Sequence, residues 1–183
     1  MAEAEAARLR AASGRVRRRG ATLTIVPDAG PPVALVDDTT AEGFDYVRHA
    51  YLGRVAGAPF HIVAVSHYEG RGYLLVHART GRRVEVDARP AVSPDGARLA
   101  TASMDLVAGV DPTRVVVMRV AGDTALVEWS HEPERWGPSD GRWLGPDTLA
   151  FTAHHLGGDD PAPVRESRGL LVREDGRWRL RAP

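Results

Sequence analysis

The chain has 183 residues, of which 43% are hydrophobic, so it is long enough to bury a sizeable core. Its 24 basic and 24 acidic residues balance, and because no excess of positive charge exists we expect no nucleic-acid partner. Cysteine is absent, which excludes disulfides and thiolate metal sites, and no run of about 18 apolar residues predicts a transmembrane span.

Residues 1–19 are expected to form an N-terminal arm. Residues 2–12 are strong helix formers, but Leu9 is their only large apolar side chain, so a helix there is short and poorly anchored. The basic run 15–19 has no interleaved aromatic residues, and we interpret it as a solvated arm leading into the first strand. Residues 2–6 resemble the mature end left by signal cleavage; the compartment is then periplasmic or extracellular, and otherwise cytoplasmic.

From Gly20 onward the sequence predicts antiparallel β-structure. Short β-branched runs alternate with Gly, Pro and Asp turns, which is typical of hairpins. The first hairpin joins 22–26 to 33–37, and three more are expected at 72–86, 114–129 and 169–180. Two further strands precede each of the last three hairpins, so the predicted unit has four strands.

The clearest motif lies at 92–96, Val-Ser-Pro-Asp-Gly, followed by Leu99 and Ala100. Pro94 sets φ at the first corner of a turn, Asp95 bonds its own backbone and Gly96 takes the strained position. The string resembles the WD40-like (PD40-type) β-propeller repeat of bacteria, in which SPDG turns the first strand of a blade into the second. Pro146 and Asp147 repeat part of it.

The strand count gives about three and a half four-stranded antiparallel units, and the resemblance implies that these are blades of an all-β, propeller-like array. It implies no activity. Residues 20–183 are therefore expected to form one domain. Propellers usually have at least about four blades. An incomplete blade closing the ring, an open or sandwich-like assembly, and completion by a second chain all remain open.

Candidate ligand-binding residues lie in the long loops that a propeller brings to one face. Those loops are predicted at 68–71, 87–90, 105–113, 130–141 and 154–166. Their acidic and aromatic residues are the predicted ligand-binding set: Tyr68, Glu69, Asp105, Asp111, Glu132, Trp136 and Asp140. The negative charge of the loops requires either a bound cation or pairing with nearby arginines, namely Arg71, Arg89, Arg135 and Arg165. The carboxylates concerned are Asp105, Asp111, Glu132, Glu134, Asp140, Asp159 and Asp160.

A divalent cation is the one cofactor that the sequence leaves open. His154, Asp159 and Asp160 offer imidazole and carboxylate ligands for it. The alternative is a polar loop that closes a strand, because adjacent residues such as His154 and His155 point to opposite faces of a strand. No catalytic residue is predicted, since the chain has no nucleophile, phosphate-loop or zinc-protease motif.

The leading interpretation is a non-enzymatic binding or protein-interaction module that holds an unknown protein or small ligand on the long-loop face. One alternative is a metal- or carboxylate-dependent hydrolase or lyase with its site in the same loops. Another is an assembly subunit that pairs, for example as a dimer, through an open blade edge. Bound metal, a concave pocket and an unpaired edge strand would distinguish the three.

Overall fold

A computed structural model describes residues 2–157 and 160–181, and strands dominate it. One helix, α1 (Ala2–Ala11), begins the described chain, and a short 3₁₀ turn lies at Gly43–Asp45. The strands of the described residues form four antiparallel sheets, which confirms the predicted all-β class and its propeller-like series of small blades. No helix in this part of the chain is long and apolar enough to cross a membrane.

The sheets follow one another along the chain. The first contains β1 (Val16–Arg19), β2 (Thr22–Ile25) and β3 (Val33–Val36). The second contains β4 (Val47–Arg54), β5 (Phe60–His67), β6 (Arg71–His77) and β7 (Arg83–Val86). The third contains β8 (Ala91–Val92), β9 (Arg98–Ser103), β10 (Arg114–Ala121) and β11 (Thr124–His131). The fourth contains β12 (Trp136–Gly145), β13 (Thr148–Gly157), β14 (Asp160–Glu174) and β15 (Arg177–Arg181).

The predicted domain 20–183 is divided between two compact units. The first unit runs to Val86 and includes Gly122–Thr124; the second comprises Asp87–Ala121 and the chain from Ala125 onward. The first unit thus contains the first and second sheets, and the second unit contains nearly all of the third sheet and the whole of the fourth.

Each unit buries its own apolar cluster. In the first unit the cluster joins two sheets through Val16, Leu23, Ile25, Leu35, Tyr51, Val63, Leu74 and Val76. Leu9 of α1 packs against this cluster, so the helix is anchored more firmly than its sequence predicts. In the second unit the cluster consists of Ala100, Val115, Val117, Leu149, Phe151, Ala153 and Leu171. Alternate residues of β13 supply three of these side chains, which is the period-two pattern of a strand with one face buried.

The SPDG turn is confirmed. Gly96 has φ of 69°, in the left-handed region, and its N–H donates to the Ser93 carbonyl oxygen at 2.9 Å. Asp95 Oδ1 accepts hydrogen bonds from the Ser93 hydroxyl at 2.6 Å and from the Ala97 N–H at 3.1 Å. These two donors lower the pKa of the Asp95 carboxyl from its usual value. The turn joins β8 to β9, as the motif predicts.

The solvated arm predicted at 15–19 is wrong, because Val16–Arg19 is strand β1 and pairs along its length with β2. Val16 is only 2% exposed. Arg18 is also mostly shielded, and its guanidinium contacts Asp37 at 2.8 Å and Glu5 at 3.2 Å. The basic run has a strand pattern, because Arg17 and Arg19 point outward while Val16 and Arg18 face the protein. Its high charge made it look like an exposed arm.

Three side chains bond the outer edge of β4, the first strand of its sheet: Glu5 of α1, Arg18 of β1, and Asp37, which directly follows β3. The N–H of His49 donates to Asp37 Oδ1 at 2.8 Å, and the N–H of Tyr51 donates to Glu5 Oε1 at 2.7 Å. Arg18 donates to the carbonyl oxygen of His49. Since unpaired edge groups are what a further strand needs, this stretch of β4 is closed to strand addition.

We expect Arg18→Ala to lower the free energy of unfolding by about 3 kcal/mol, because it leaves the shielded carboxylates of Glu5 and Asp37 without their countercharge. Urea denaturation at neutral pH measures the change. Arg17→Ala is the matched control, since Arg17 is the exposed neighbour on the same strand and its loss should change stability by less than about 0.5 kcal/mol. Equal losses in both variants would contradict the buried network.

We expect Gly96→Val to destabilise the second unit by about 1 kcal/mol or more, since a β-branched residue strains at positive φ. Gly145→Val is the control: φ at Gly145 lies outside the left-handed region, and a Cβ there meets open space. Thermal denaturation compares the two variants. An unchanged midpoint for Gly96→Val would remove the structural role of the motif.

Candidate functional site

Four polar side chains form one chain of close contacts on the fourth sheet, two of them hydrogen bonds and one an ion-pair contact. The Ser139 Oγ atom lies 2.8 Å from His154 Nε2, and His154 Nδ1 lies 3.2 Å from Glu166 Oε1. Ser139 Oγ also lies 2.8 Å from Asp140 Oδ2. The order of contacts is therefore Asp140, Ser139, His154, Glu166, across the neighbouring strands β12, β13 and β14.

Cross-strand register brings these residues together. Gly137 of β12 is opposite His154 of β13, and His154 is opposite Glu166 of β14. Ser139 lies two residues after Gly137, so it shares the face of His154 and is its diagonal neighbour. Both contacts of His154 follow from this placement.

A β-bulge in β12 determines the position of Asp140. The pairing of β12 with β13 shifts register between Ser139 and Arg142, and Asp140 within the shift has φ of 52°. Few residues other than glycine adopt this conformation, although aspartate is among those that tolerate it best. The bulge turns the Asp140 carboxylate toward the hydroxyl of its own neighbour.

A cavity of about 380 Å³ opens beside this chain of contacts. Its lining residues are Asp140, Arg142, Ala150, Phe151, Thr152, Glu166, Ser167 and Arg168. We call it the sheet cavity. Its volume falls in the range of about 300–1,000 Å³ that small-molecule sites occupy. Both of its carboxylates have partners, Ser139 for Asp140 and His154 for Glu166, whereas Arg142 and Arg168 have no ion-pair partner among the described side chains.

The structure thus brings together Asp140 and His154, which the sequence singles out for different reasons. Asp159 lies outside the described residues, as does the side chain of Asp160. Within the described residues no group of three His, Cys, Asp or Glu side chains is placed to hold a metal ion. The recorded partners of His154 are Ser139 and Glu166, two residues that the sequence analysis missed. They lie 15 and 12 positions from His154, a spacing that matches no motif.

Two of the predicted loops are strands instead. The loop predicted at 130–141 is reduced to 132–135, because β11 extends to His131 and β12 begins at Trp136. The loop predicted at 154–166 is likewise mostly β13 and β14. Pairing with β13 overrides the turn-like composition of these segments. The Trp136 ring stacks on Phe151 at a centroid distance of 5.5 Å, so it packs in the core of the second unit rather than lining the sheet cavity.

Asp105, Asp111 and Glu132 have local structural partners. Asp105 accepts hydrogen bonds from the N–H groups of Asp111, Val110 and Ala108, and these lower its carboxyl pKa to about 2. That carboxylate therefore fixes the 105–111 turn.

Glu132 lies 3.5 Å from Arg114, which makes two shorter bonds, of 2.6 and 3.0 Å, to Asp87. The arginine that Glu132 contacts is thus Arg114, which the sequence analysis did not name. Tyr68 and Glu69 belong to the first unit, in the turn between β5 and β6, and Tyr68 is 66% exposed.

A second, smaller cavity of about 140 Å³ lies in the first unit. Tyr51 and His61 line it, with Arg15, Arg54 and Asp28 among the other lining residues. The Tyr51 hydroxyl lies 3.0 Å from His61 Nδ1, and both side chains are buried. Burial, reinforced by the positive charge of Arg54, lowers the pKa of His61 to about 4, so the ring is neutral at pH 7. Burial also raises the pKa of Tyr51.

No family model and no curated protein matches this sequence. The similarity to the WD40-like repeat therefore stays a prediction, and the geometry of the sheet cavity carries the functional argument.

The free energy of unfolding should fall as the pH is lowered from about 6.5 toward about 4. In this range His61 of the unfolded chain binds a proton, whereas His61 of the folded protein stays neutral. The wild type should lose up to about 3 kcal/mol more than His61→Phe across this window, and urea denaturation at each pH measures it. His67→Phe, on the exposed end of the same strand, is the control and should keep the wild-type slope. Parallel profiles for wild type and His61→Phe would refute a neutral buried His61.

Proposed function

We propose that the protein is a binding module for a small anionic ligand, which it holds in the sheet cavity. One observation carries the proposal: Arg142 and Arg168 line that cavity and lack ion-pair partners among the described side chains, while the carboxylates beside them are occupied. The two guanidinium groups are therefore the charged groups of the lining that remain available to a ligand.

Guanidinium chemistry selects the ligand class. An arginine side chain presents paired N–H donors whose spacing matches a carboxylate or a phosphate. Both guanidinium groups are exposed, so they are accessible to a ligand that enters from solvent. A cavity of about 380 Å³ admits a molecule the size of a small organic acid or a phosphate ester.

The scaffold also favours a binding role. Arg142 lies on β12 and Arg168 on β14, with Thr152 of β13 between them in the cavity lining. Ligand contacts that project from paired strands need little backbone ordering on binding, so less of the interaction energy is lost than with mobile loops. In this proposal the binding surface is the face of the fourth sheet rather than the predicted long-loop face.

We expect succinate or inorganic phosphate to raise the melting temperature above that in sodium chloride of equal ionic strength. At ten times the dissociation constant, binding adds about 1.4 kcal/mol of stability, or about 3–6 °C for a chain of this size. Differential scanning fluorimetry with separate succinate and phosphate titrations tells which anion is preferred. Arg168→Gln should abolish the shift, because it removes one of the two guanidinium groups.

The control for charge is Arg177→Gln, which removes an exposed arginine of β15 outside the sheet cavity. That variant should retain the full shift. Equal shifts in the Arg168 and Arg177 variants, or no shift beyond that of sodium chloride, would refute the proposed site.

A further inference from the structure

We propose that Ser139 is an activated nucleophile for acyl transfer from short esters, with His154 as its general base and Glu166 as the acid that orients His154. This activity goes beyond ligand binding in the sheet cavity. It rests on the contacts among these three side chains and does not require the anion site to be correct.

The two distances fit these roles. A nucleophile and its base work within about 2.6–3.2 Å, with a third group orienting the base. Ser139 Oγ to His154 Nε2 is 2.8 Å, and His154 Nδ1 to Glu166 Oε1 is 3.2 Å. The His154 side chain is 16% exposed, so the base is largely shielded while Glu166 stands closer to solvent.

The contacts also set the tautomer of His154. An ionised carboxylate only accepts hydrogen bonds, so contact with Glu166 places the imidazole proton on Nδ1. Nε2 then presents a lone pair to Ser139 Oγ, whose hydroxyl donates to Asp140 Oδ2 in this structure and must turn toward Nε2 before its proton can be taken. A general base must accept the hydroxyl proton at this nitrogen.

Asp140 determines which side of Ser139 the ester must approach. Its Oδ2 atom is a second acceptor 2.8 Å from Ser139 Oγ, and one hydroxyl proton serves only one acceptor at a time. The negative charge of Asp140 opposes an oxyanion on its own side. The developing oxyanion is therefore favoured on the side of Ser139 away from Asp140.

Two apolar side chains lie close to the start of β12, the strand that carries Ser139. Met104 and Leu106 lie against Gly137, two residues before Ser139, so closely that Gly137 has no room for a Cβ atom. Met104 is 38% exposed, so part of its side chain is accessible. An apolar surface beside the nucleophile favours esters with a short apolar acyl chain over esters with a charged acyl chain.

The reaction balances with water as the only co-reactant. Ser139 Oγ bonds to the acyl carbon as its proton passes to His154 Nε2. The bond from that carbon to the alcohol oxygen then breaks, and the alcohol leaves with the proton from Nε2. Water attacks the acyl-serine and gives a proton to Nε2, and the carboxylic acid departs as Ser139 recovers that proton.

The same sheet offers a matched comparison. Ser167 Oγ lies 2.6 Å from His155 Nε2, so a second serine and histidine are in contact on β14 and β13. Among the side chains that the structure describes, no carboxylate contacts His155. If serine and histidine alone were sufficient, both serines would react; if the orienting acid is required, only Ser139 will.

A fluorophosphonate probe, which bonds covalently to activated serines, tests the proposal. Intact-mass and peptide mass spectrometry of the labelled full chain should find one adduct, located on Ser139. Ser139→Ala should lose the adduct and Ser167→Ala should keep it. His154→Ala should slow labelling by about 100-fold or more, and Glu166→Gln by about tenfold or more. Hydrolysis of p-nitrophenyl acetate should fall in the same order.

Peptide mapping of the wild type locates the adduct without any variant, so misfolding of Ser139→Ala leaves the test intact. An unlabelled wild type, or an adduct on any other residue, overturns the proposal. Equal labelling of Glu166→Gln and wild type overturns the role of Glu166. Anion binding without labelling would refute this activity alone, and labelling without anion binding would refute the proposed binding function alone.

Discussion

Cross-strand register in the fourth sheet is the constraint on which both its core and its candidate site depend. Along β13, Leu149, Phe151 and Ala153 enter the apolar cluster of the second unit, while Thr152 and His154 occupy the opposite face. A slip of one residue would exchange the two faces. Burial of the three apolar side chains therefore fixes the positions of Thr152 and His154. The polar contacts of His154 depend on this apolar packing on the other face of the strand.

The first unit shows a different use of polar groups. Its second sheet begins with an edge strand, β4, whose outward N–H and C=O groups are bonded by Glu5, Asp37 and Arg18. A strand edge left open is a template for association with other chains. These three side chains occupy the hydrogen-bonding groups of the edge. They also form ion pairs with one another, which offset the cost of removing their charges from water. Glu5 and Arg18 of the N-terminal segment thus cover part of the edge of this sheet.

Local chemistry explains what was predictable from the sequence. The turn at 93–96 and the hairpin of β2 and β3 depend on Pro, Asp and Gly acting on their own neighbours, and both were predicted. The segment after Trp136 contains glycines, a proline and aspartate, so it was interpreted as a loop, yet distant pairing with β13 makes it a strand. Asp140 and His154 were predicted as site residues, whereas Ser139 and Glu166 were not. Only the register of three paired strands brings Ser139 and Glu166 to His154, and the spacing of residues along the chain does not predict that register.

The bulge in β12 is where fold and site chemistry meet. On a regular strand, Ser139 and Asp140 would point to opposite faces, because successive side chains alternate. Their oxygen atoms lie 2.8 Å apart because Asp140 adopts a left-handed conformation at φ of 52°. That conformation is costly for a residue with a side chain, and it persists only where the surrounding pairs hold it. The paired residues on either side, Ser139 with Thr152 and Arg142 with Ala150, provide that support. The arrangement of the Ser139 hydroxyl between a carboxylate and an imidazole is thus a consequence of one irregular residue held within an otherwise regular sheet.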